Sequence, residues 1–250
     1  MTSNLNNPDW RGKVGLILPS ANTVTEPLFY ALAPQGVSFH SSRTFITGTG
    51  VEDIMAMEKE KGKAVRELAT ARLGCIIDCC TASGVRRGLE ADKAFCSGIE
   101  QDTGIRATST LQAVVEALEV LELRRLVIAG PYPEEMDELE ESFFEKNGFS
   151  VLNIQGLGIE EGWRMAQVSP REIYHLCTDA WDTRAEGLFI SCMNLNPMPV
   201  IQALELDLKV PVVSSNSATL WKILQIIGVE EPVWGYGRLL SDYMSVKCGD

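Results

Sequence analysis

Short apolar runs and stretches of helical period alternate along nearly the whole chain. Residues 14–18 form an unbroken apolar run ended by Pro19, the pattern of a strand buried on both faces. Thr23-Val24-Thr25-Glu26 fits a capping box, and Pro27 suits the first turn of a helix carrying Leu28, Tyr30 and Leu32. Residues 37–45 alternate as a second strand. Across 52–73, Ile54, Met57, Val65 and Leu68 recur on one helical face and predict one long amphipathic helix. Residues 75–79 predict a third strand. The same reading predicts later strands at 126–129, 151–154, 187–191 and 210–214. It predicts helices at 111–121, 134–147 (closed by Gly148), 170–183, 200–208 and 218–227. Strand and helix alternating at this rhythm define an α/β protein with parallel sheets.

The two halves echo each other. Gly74-Cys75-Ile76-Ile77-Asp78-Cys79-Cys80 runs into Thr81-Ala82-Ser83-Gly84, and Gly187-Leu188-Phe189-Ile190-Ser191-Cys192 runs into Met193-Asn194-Leu195-Asn196. Upstream of each lies another apolar strand ending in a proline turn. Asn22 in the first such turn precedes Cys80 by 58 residues, and Tyr132 in the second precedes Cys192 by 60. Such spacing predicts a duplicated unit and two pseudo-symmetric domains. The expected division is residues 1–108 with 216–250, carrying Cys80, and 109–215, carrying Cys192. Ligands of parallel sheets bind beyond the carboxyl ends of the strands. All four turns sit at such ends, so they are expected to converge on one interdomain cleft.

Composition narrows the chemistry. The chain has 250 residues, 45% hydrophobic and 22% charged, the balance of a globular protein with a sizeable core. No apolar run approaches the ~20 residues that span a bilayer. The polar, Asn-rich start has no signal pattern, which predicts a cytoplasmic address. A net charge of −12 argues against nucleic acid and anionic membranes as partners. A small carboxylate stays open, because backbone N–H groups at helix N-termini hold anions without basic side chains. A homodimer is compatible with this reading. The seven cysteines, with no C-x-x-C pair and only His40 and His175 beside them, predict reduced thiols and no metal site.

Two of those cysteines stand out. Cys80 ends a strand and enters a helix expected to begin near Ser83, whose N-terminal field favours thiolate. Cys192 has the same setting, with Asn194 or Asn196 as its cap. Two thiols at matched positions suit a proton leaving one face of a carbon and arriving on the other, or attack by one thiolate while the other thiol supplies the proton. The plain alternative is that each is a small buried hydrophobe. That alternative is the expectation for Cys75, Cys79, Cys177 and Cys248, and Cys96 reads as incidental. Gly48-Thr49-Gly50 lacks the third glycine of a dinucleotide fingerprint, and the acidic run at 134–145 reads as a solvated helix face.

Gly15-Leu16-Ile17-Leu18-Pro19-Ser20-Ala21-Asn22-Thr23 resembles the opening motif of maleate cis-trans isomerases, within the aspartate/glutamate racemase superfamily. Cys80-Thr81-Ala82-Ser83-Gly84 resembles their first-cysteine motif, and Ile190-Ser191-Cys192-Met193-Asn194-Leu195 their second. Val210-Pro211-Val212-Val213-Ser214-Ser215 and Gly235-Tyr236-Gly237-Arg238-Leu239-Leu240 are similar to both these isomerases and the arylmalonate decarboxylases. The resemblance implies two flavodoxin-like α/β domains with the active site between them, and no cofactor. It implies Cys80 as nucleophile and Cys192 as acid. Carboxylate contacts would come from Ser20, Asn22, Tyr132 and the backbone at Thr81, Ala82, Met193 and Asn194. Two departures stand out. The stretch 158–163 lacks the asparagine typical of the isomerases, and Leu157-Gly158-Ile159 looks more like the decarboxylases. Those, however, resemble enzymes that keep only the second cysteine.

Overall fold

The computed structural model describes residues 9–246. Two four-stranded parallel sheets organise them. The first holds β1 (Gly12–Pro19), β2 (Val37–Thr44), β3 (Cys75–Asp78) and β4 (Arg106–Ser109) in the order β2-β1-β3-β4. The second holds β5 (Arg125–Gly130), β6 (Ser150–Gly156), β7 (Gly187–Ile190) and β8 (Val212–Ser214) in the order β6-β5-β7-β8. The same order twice is the echo heard in the sequence. It is also the first part of the flavodoxin-like order, with a switch point between the two central strands.

Helices cover both faces of each sheet. Around the first lie α1 (Thr25–Leu32), α2 (Val51–Glu58), α3 (Lys61–Ala69), α4 (Thr81–Arg87) and α5 (Leu89–Thr103). Next come α6 (Thr110–Val120), α7 (Glu134–Lys146), α8 (Gly162–Met165), α9 (Pro170–Ala180), α10 (Met198–Leu208), α11 (Ser215–Ile226) and α12 (Arg238–Asp242). Because both faces are covered, the central strands are apolar without alternation: Val14, Leu16, Ile77, Leu126, Val127 and Leu188 have no exposure at all. Helices α6 and α11 pack together, with Thr219 Oγ1 donating to Thr110 Oγ1 at 2.9 Å. One apolar core runs through both sheets.

Several expectations need correction. The long helix predicted over 52–73 breaks at Lys59-Glu60 into α2 and α3, which turns Lys61 inward. The capping box at Thr23 does not form. Instead Asn22 Oδ1 accepts from the N–H groups of Val24 and Thr25 at 3.1 and 3.0 Å, while Glu26 is taken by Arg43. The helix after Cys80 begins at Thr81 rather than Ser83. Cys192 has no helix directly behind it, since α10 starts only at Met198, and neither Asn194 nor Asn196 caps it. β4 and α5 escaped the sequence reading. β4 is short and partly polar, and α5 buries only Asp92, Cys96 and Ile99. Cys248 lies outside the described residues.

Candidate active site

The carboxyl ends of β1, β3, β5 and β7 meet at the switch points of the two sheets. Between them is an inner chamber of ≈ 60 Å³. Asn22, Cys80, Thr81 and Ala82 line it from the first half, and Tyr132, Cys192, Met193 and Asn194 from the second. Both cysteines singled out by their spacing therefore face the same space. Ser20 does not line it. Its Oγ donates to the Ile46 carbonyl at 3.2 Å and accepts from the Ile46 N–H at 3.0 Å, so it pins a residue that does.

Other walls come from segments that the sequence did not assign to the site. Ile46, Gly48, Thr49 and Ile54 close one side, and Gly162 and Met165 another. Gly48 and Glu161 form an antiparallel bridge, and Thr49 Oγ1 donates to the Glu160 carbonyl at 3.0 Å. The loops after β2 and β6 thus clasp each other above the chamber. Outside them lies a vestibule of ≈ 440 Å³, where Arg86 stands among Asp53, Glu135, Glu160 and Glu161. No lysine, arginine or histidine lines the inner chamber. Any carboxylate there must be held by neutral donors.

Cys192 sits in a tight turn. Its φ of 87° is in the left-handed region, a conformation that costs a non-glycine residue of order 1–3 kcal/mol and clusters at functional sites. The turn brings the N–H of Asn194 back onto the Cys192 sulfur at 3.3 Å. The Tyr132 hydroxyl, past the end of β5, also favours the thiolate of the same sulfur. Burial nevertheless outweighs both donors and pushes the Cys192 thiol up to about 12. Cys80 is half-buried, and its thiol is also raised by desolvation, opposed by the Lys61 ammonium and by the N–H of Ser83. A helix field is expected to favour thiolate at both sulfurs; burial instead raises both. The rise favours the thiol form of Cys192, while Cys80 has a cation among the groups that oppose it.

The turn carrying Cys192 is fastened to the opposite half. Asn194 Oδ1 accepts from the Thr23 N–H at 2.9 Å, and its Nδ2 donates to the carbonyls of Gly162 at 2.8 Å and Ala21 at 3.2 Å. Thr25 Oγ1 donates to the Met193 carbonyl at 3.2 Å. The side chain of Asn194 is therefore committed to the protein, leaving its backbone to face the chamber. On the other side, Leu157-Gly158-Ile159 returns three N–H bonds to Gly130, Tyr132 and Pro131, fixing the loop that presents Tyr132. Gly156 makes this possible, since a Cβ there would lie 2.2 Å from the Tyr132 carbonyl.

The other thiols fall where packing expects them. Cys75, Cys79 and Cys177 are fully buried in the core, and Cys96 accepts from Gln112 Nε2 at 3.2 Å. Among the described residues, no group of His, Cys, Asp and Glu side chains is arranged to hold a metal ion, and no helix is long and apolar enough to cross a membrane.

Fold and site together define an α/β protein of two matched sheets with one thiol from each at a shared cleft. The chain belongs to the arylmalonate decarboxylase family, whose model matches residues 14–240. It is 26% identical to a maleate isomerase of Pseudomonas putida over 242 residues, covering 92% of this chain and 97% of that one. It is 28% identical to the arylmalonate decarboxylase of Bordetella bronchiseptica over 165 residues, 65% and 69% of the two chains. Its fold matches that of a cysteine-to-serine mutant of the maleate cis-trans isomerase of Nocardia farcinica carrying a covalently bound succinylcysteine intermediate. The TM-score is 0.87 at 23% identity, over 91% of this chain and 97% of that one.

Proposed function

We propose that this protein is a cofactor-independent isomerase of a small carboxylate that works through Cys80 and Cys192. The observation that carries the reading is that both sulfurs open onto one chamber whose polar contacts are neutral donors. Relatives over most of the chain include maleate isomerases.

In a cis-trans isomerisation, the Cys80 thiolate adds to one carbon of the double bond while the Cys192 thiol gives its proton to the other. The former double bond is then single and turns. Cys192, now the thiolate, takes the proton back, and the C–S bond breaks to return the Cys80 thiolate and the trans product. Developing charge on the carboxylate would fall on the backbone N–H groups at Thr81 and Ala82 and on the Asn22 amide. Preorganised donors of this kind contribute a few kcal/mol each. Racemisation uses the same pair differently: one thiolate removes the proton beside the carboxylate and the other thiol returns it to the opposite face. In both cases a thiol that stays protonated until needed suits Cys192, and a sulfur near a cation suits Cys80.

The apolar walls at Ile46, Ile54 and Met165 favour one rival, decarboxylation of a disubstituted malonate with Cys192 protonating the resulting enediolate. Maleate and disubstituted malonates, followed by proton NMR and carbon dioxide release, separate the two. Under the isomerase reading, Cys80→Ser loses turnover by at least a thousandfold while ligand binding by calorimetry persists. Carbon dioxide release that survives Cys80→Ser moves the protein to the decarboxylases. Binding without turnover by the unaltered protein makes it a carboxylate-binding module.

A further inference from the structure

Cysteines at matched strand ends would be expected to behave alike. What stands behind each is different. Lys61, on α3, is 1% exposed and bonds to two residues that flank Cys80 in the chain, Asp78 and Ser83. Its Nζ donates to Asp78 Oδ2 at 2.8 Å and Ser83 Oγ at 2.7 Å, and pairs with Glu58 Oε1 at 2.5 Å. The backbone N–H of Ser83 in turn favours the Cys80 thiolate, against the burial that raises it. Arg87 closes the far side, pairing with Asp78 and, at 3.0 Å, with Asp92.

No such cation serves Cys192. The groups that act most on it are Tyr132, the Asn194 N–H, Cys80 and Glu140. Glu140 is fully buried, accepts from Ser191 Oγ at 2.5 Å, and is pushed up to about 8 by burial, so it is neutral at pH 7. One thiol is backed by an ammonium and the other by a carboxylic acid.

Stability alone gives little reason to keep the Lys61 network. Lysine is almost never fully buried unless paired, and exchanging a buried ion pair for apolar side chains is often neutral or stabilising. We infer that Lys61 is a positioning residue which makes Cys80, rather than Cys192, the attacking sulfur, through its charge and through its bond to Ser83. The inference rests on the proposed role of Cys80 as nucleophile. Burial, the largest single influence, would discharge Lys61, but Asp78, Cys80 and Glu58 together outweigh it and hold the ammonium above its ordinary range, so it stays charged across the pH range in which a thiol titrates. The other charged or titratable groups acting on Cys80 are Asp78, Glu58 and Cys79, with Arg87 behind Asp78 and with Cys192 and Tyr132 across the chamber.

The test needs no substrate. In a Cys192→Ser background, the rate of iodoacetamide labelling at Cys80 is followed against pH by peptide mass spectrometry. Lys61→Met is expected to move the labelling midpoint up by about one pH unit, slowing labelling about tenfold at pH 8. Lys61→Arg is expected to recover most of the rate. Ser83→Ala removes the hydroxyl that links Lys61 to this segment and donates to Glu58, and is expected to slow labelling about threefold, serving as the decisive variant if Lys61→Met does not fold by circular dichroism. An unmoved midpoint in folded Lys61→Met, or in Ser83→Ala where that variant decides, overturns the inference. A shifted midpoint in a protein that turns over no carboxylate sinks the functional reading and leaves the role of Lys61 standing. Turnover that requires Cys80 alongside an unmoved midpoint does the reverse.

Discussion

At the residue scale, the site is built on neutral donors aimed at sulfur. Tyr132 is 5% exposed, and its hydroxyl holds the Cys192 thiol down against burial. Burial, followed by the neighbouring Cys192 and Glu140, pushes its own ionisation well above the ordinary range, so it acts as a fixed donor and not as a base. Tyr132→Phe keeps the ring and removes that donor. Under the proposed mechanism the Cys192 thiolate then keeps the Asn194 N–H but loses the phenol that favours it. Steady-state kinetics should show kcat reduced roughly tenfold to hundredfold with KM nearly unchanged, the signature of an interaction made mainly beyond the ground state. A change confined to KM would make Tyr132 a substrate contact only. The two sulfurs were legible in the sequence because each ends an apolar strand at a repeated spacing. Lys61 was not. Within Glu60-Lys61-Gly62-Lys63 it reads as a solvated helix position, and only the break between α2 and α3 turns it inward.

At the scale of elements, what matters is how strand-end turns are held across the gap between the sheets. Asn194 bridges Ala21, Thr23 and Gly162, three points on two segments far apart in the chain. Asn194→Ala leaves these partly buried groups unpaired. Thermal or urea unfolding should show a loss of about 2–4 kcal/mol, and activity should fall as the Cys192 turn drifts from Cys80. Unchanged stability together with unchanged activity would show that the clasp is dispensable. Central strands and most helices were readable, since burial on both faces leaves an apolar signal that survives without context. The helix break at Lys59-Glu60, the failed capping box and the loops at Ile46–Thr49 and Gly162–Met165 were not readable. Each depends on a partner distant in sequence: Glu60 on the Phe45 N–H, Glu26 on Arg43, and Gly48 on Glu161.

At the scale of the whole molecule, duplication explains why the site falls where it does. Two sheets of one strand order, joined by a continuous core, bring four central strand ends to a single chamber. Symmetry supplies a thiol on each side, and what stands behind each differs: Lys61 with Asp78 and Ser83 near one, Glu140 with Ser191 near the other. A net charge of −12 has no bearing on this, because the inner chamber carries no charged lysine, arginine or histidine and works through oriented dipoles. The acidic vestibule, with Arg86 among four carboxylates, is the part of the site that feels the overall charge.

The account turns on one carbon held between two sulfurs, and heavy-water proton NMR reads that carbon directly. The unaltered protein, Cys80→Ser and Cys192→Ser are each incubated in heavy water with maleate, chiral 2-substituted carboxylates, hydantoins and disubstituted malonates. The prediction is that the unaltered protein isomerises or exchanges hydrogen at a carbon beside a carboxylate in one of these classes, and that either serine variant stops it. Undiminished exchange after loss of either thiol, or no change in any class, would contradict it.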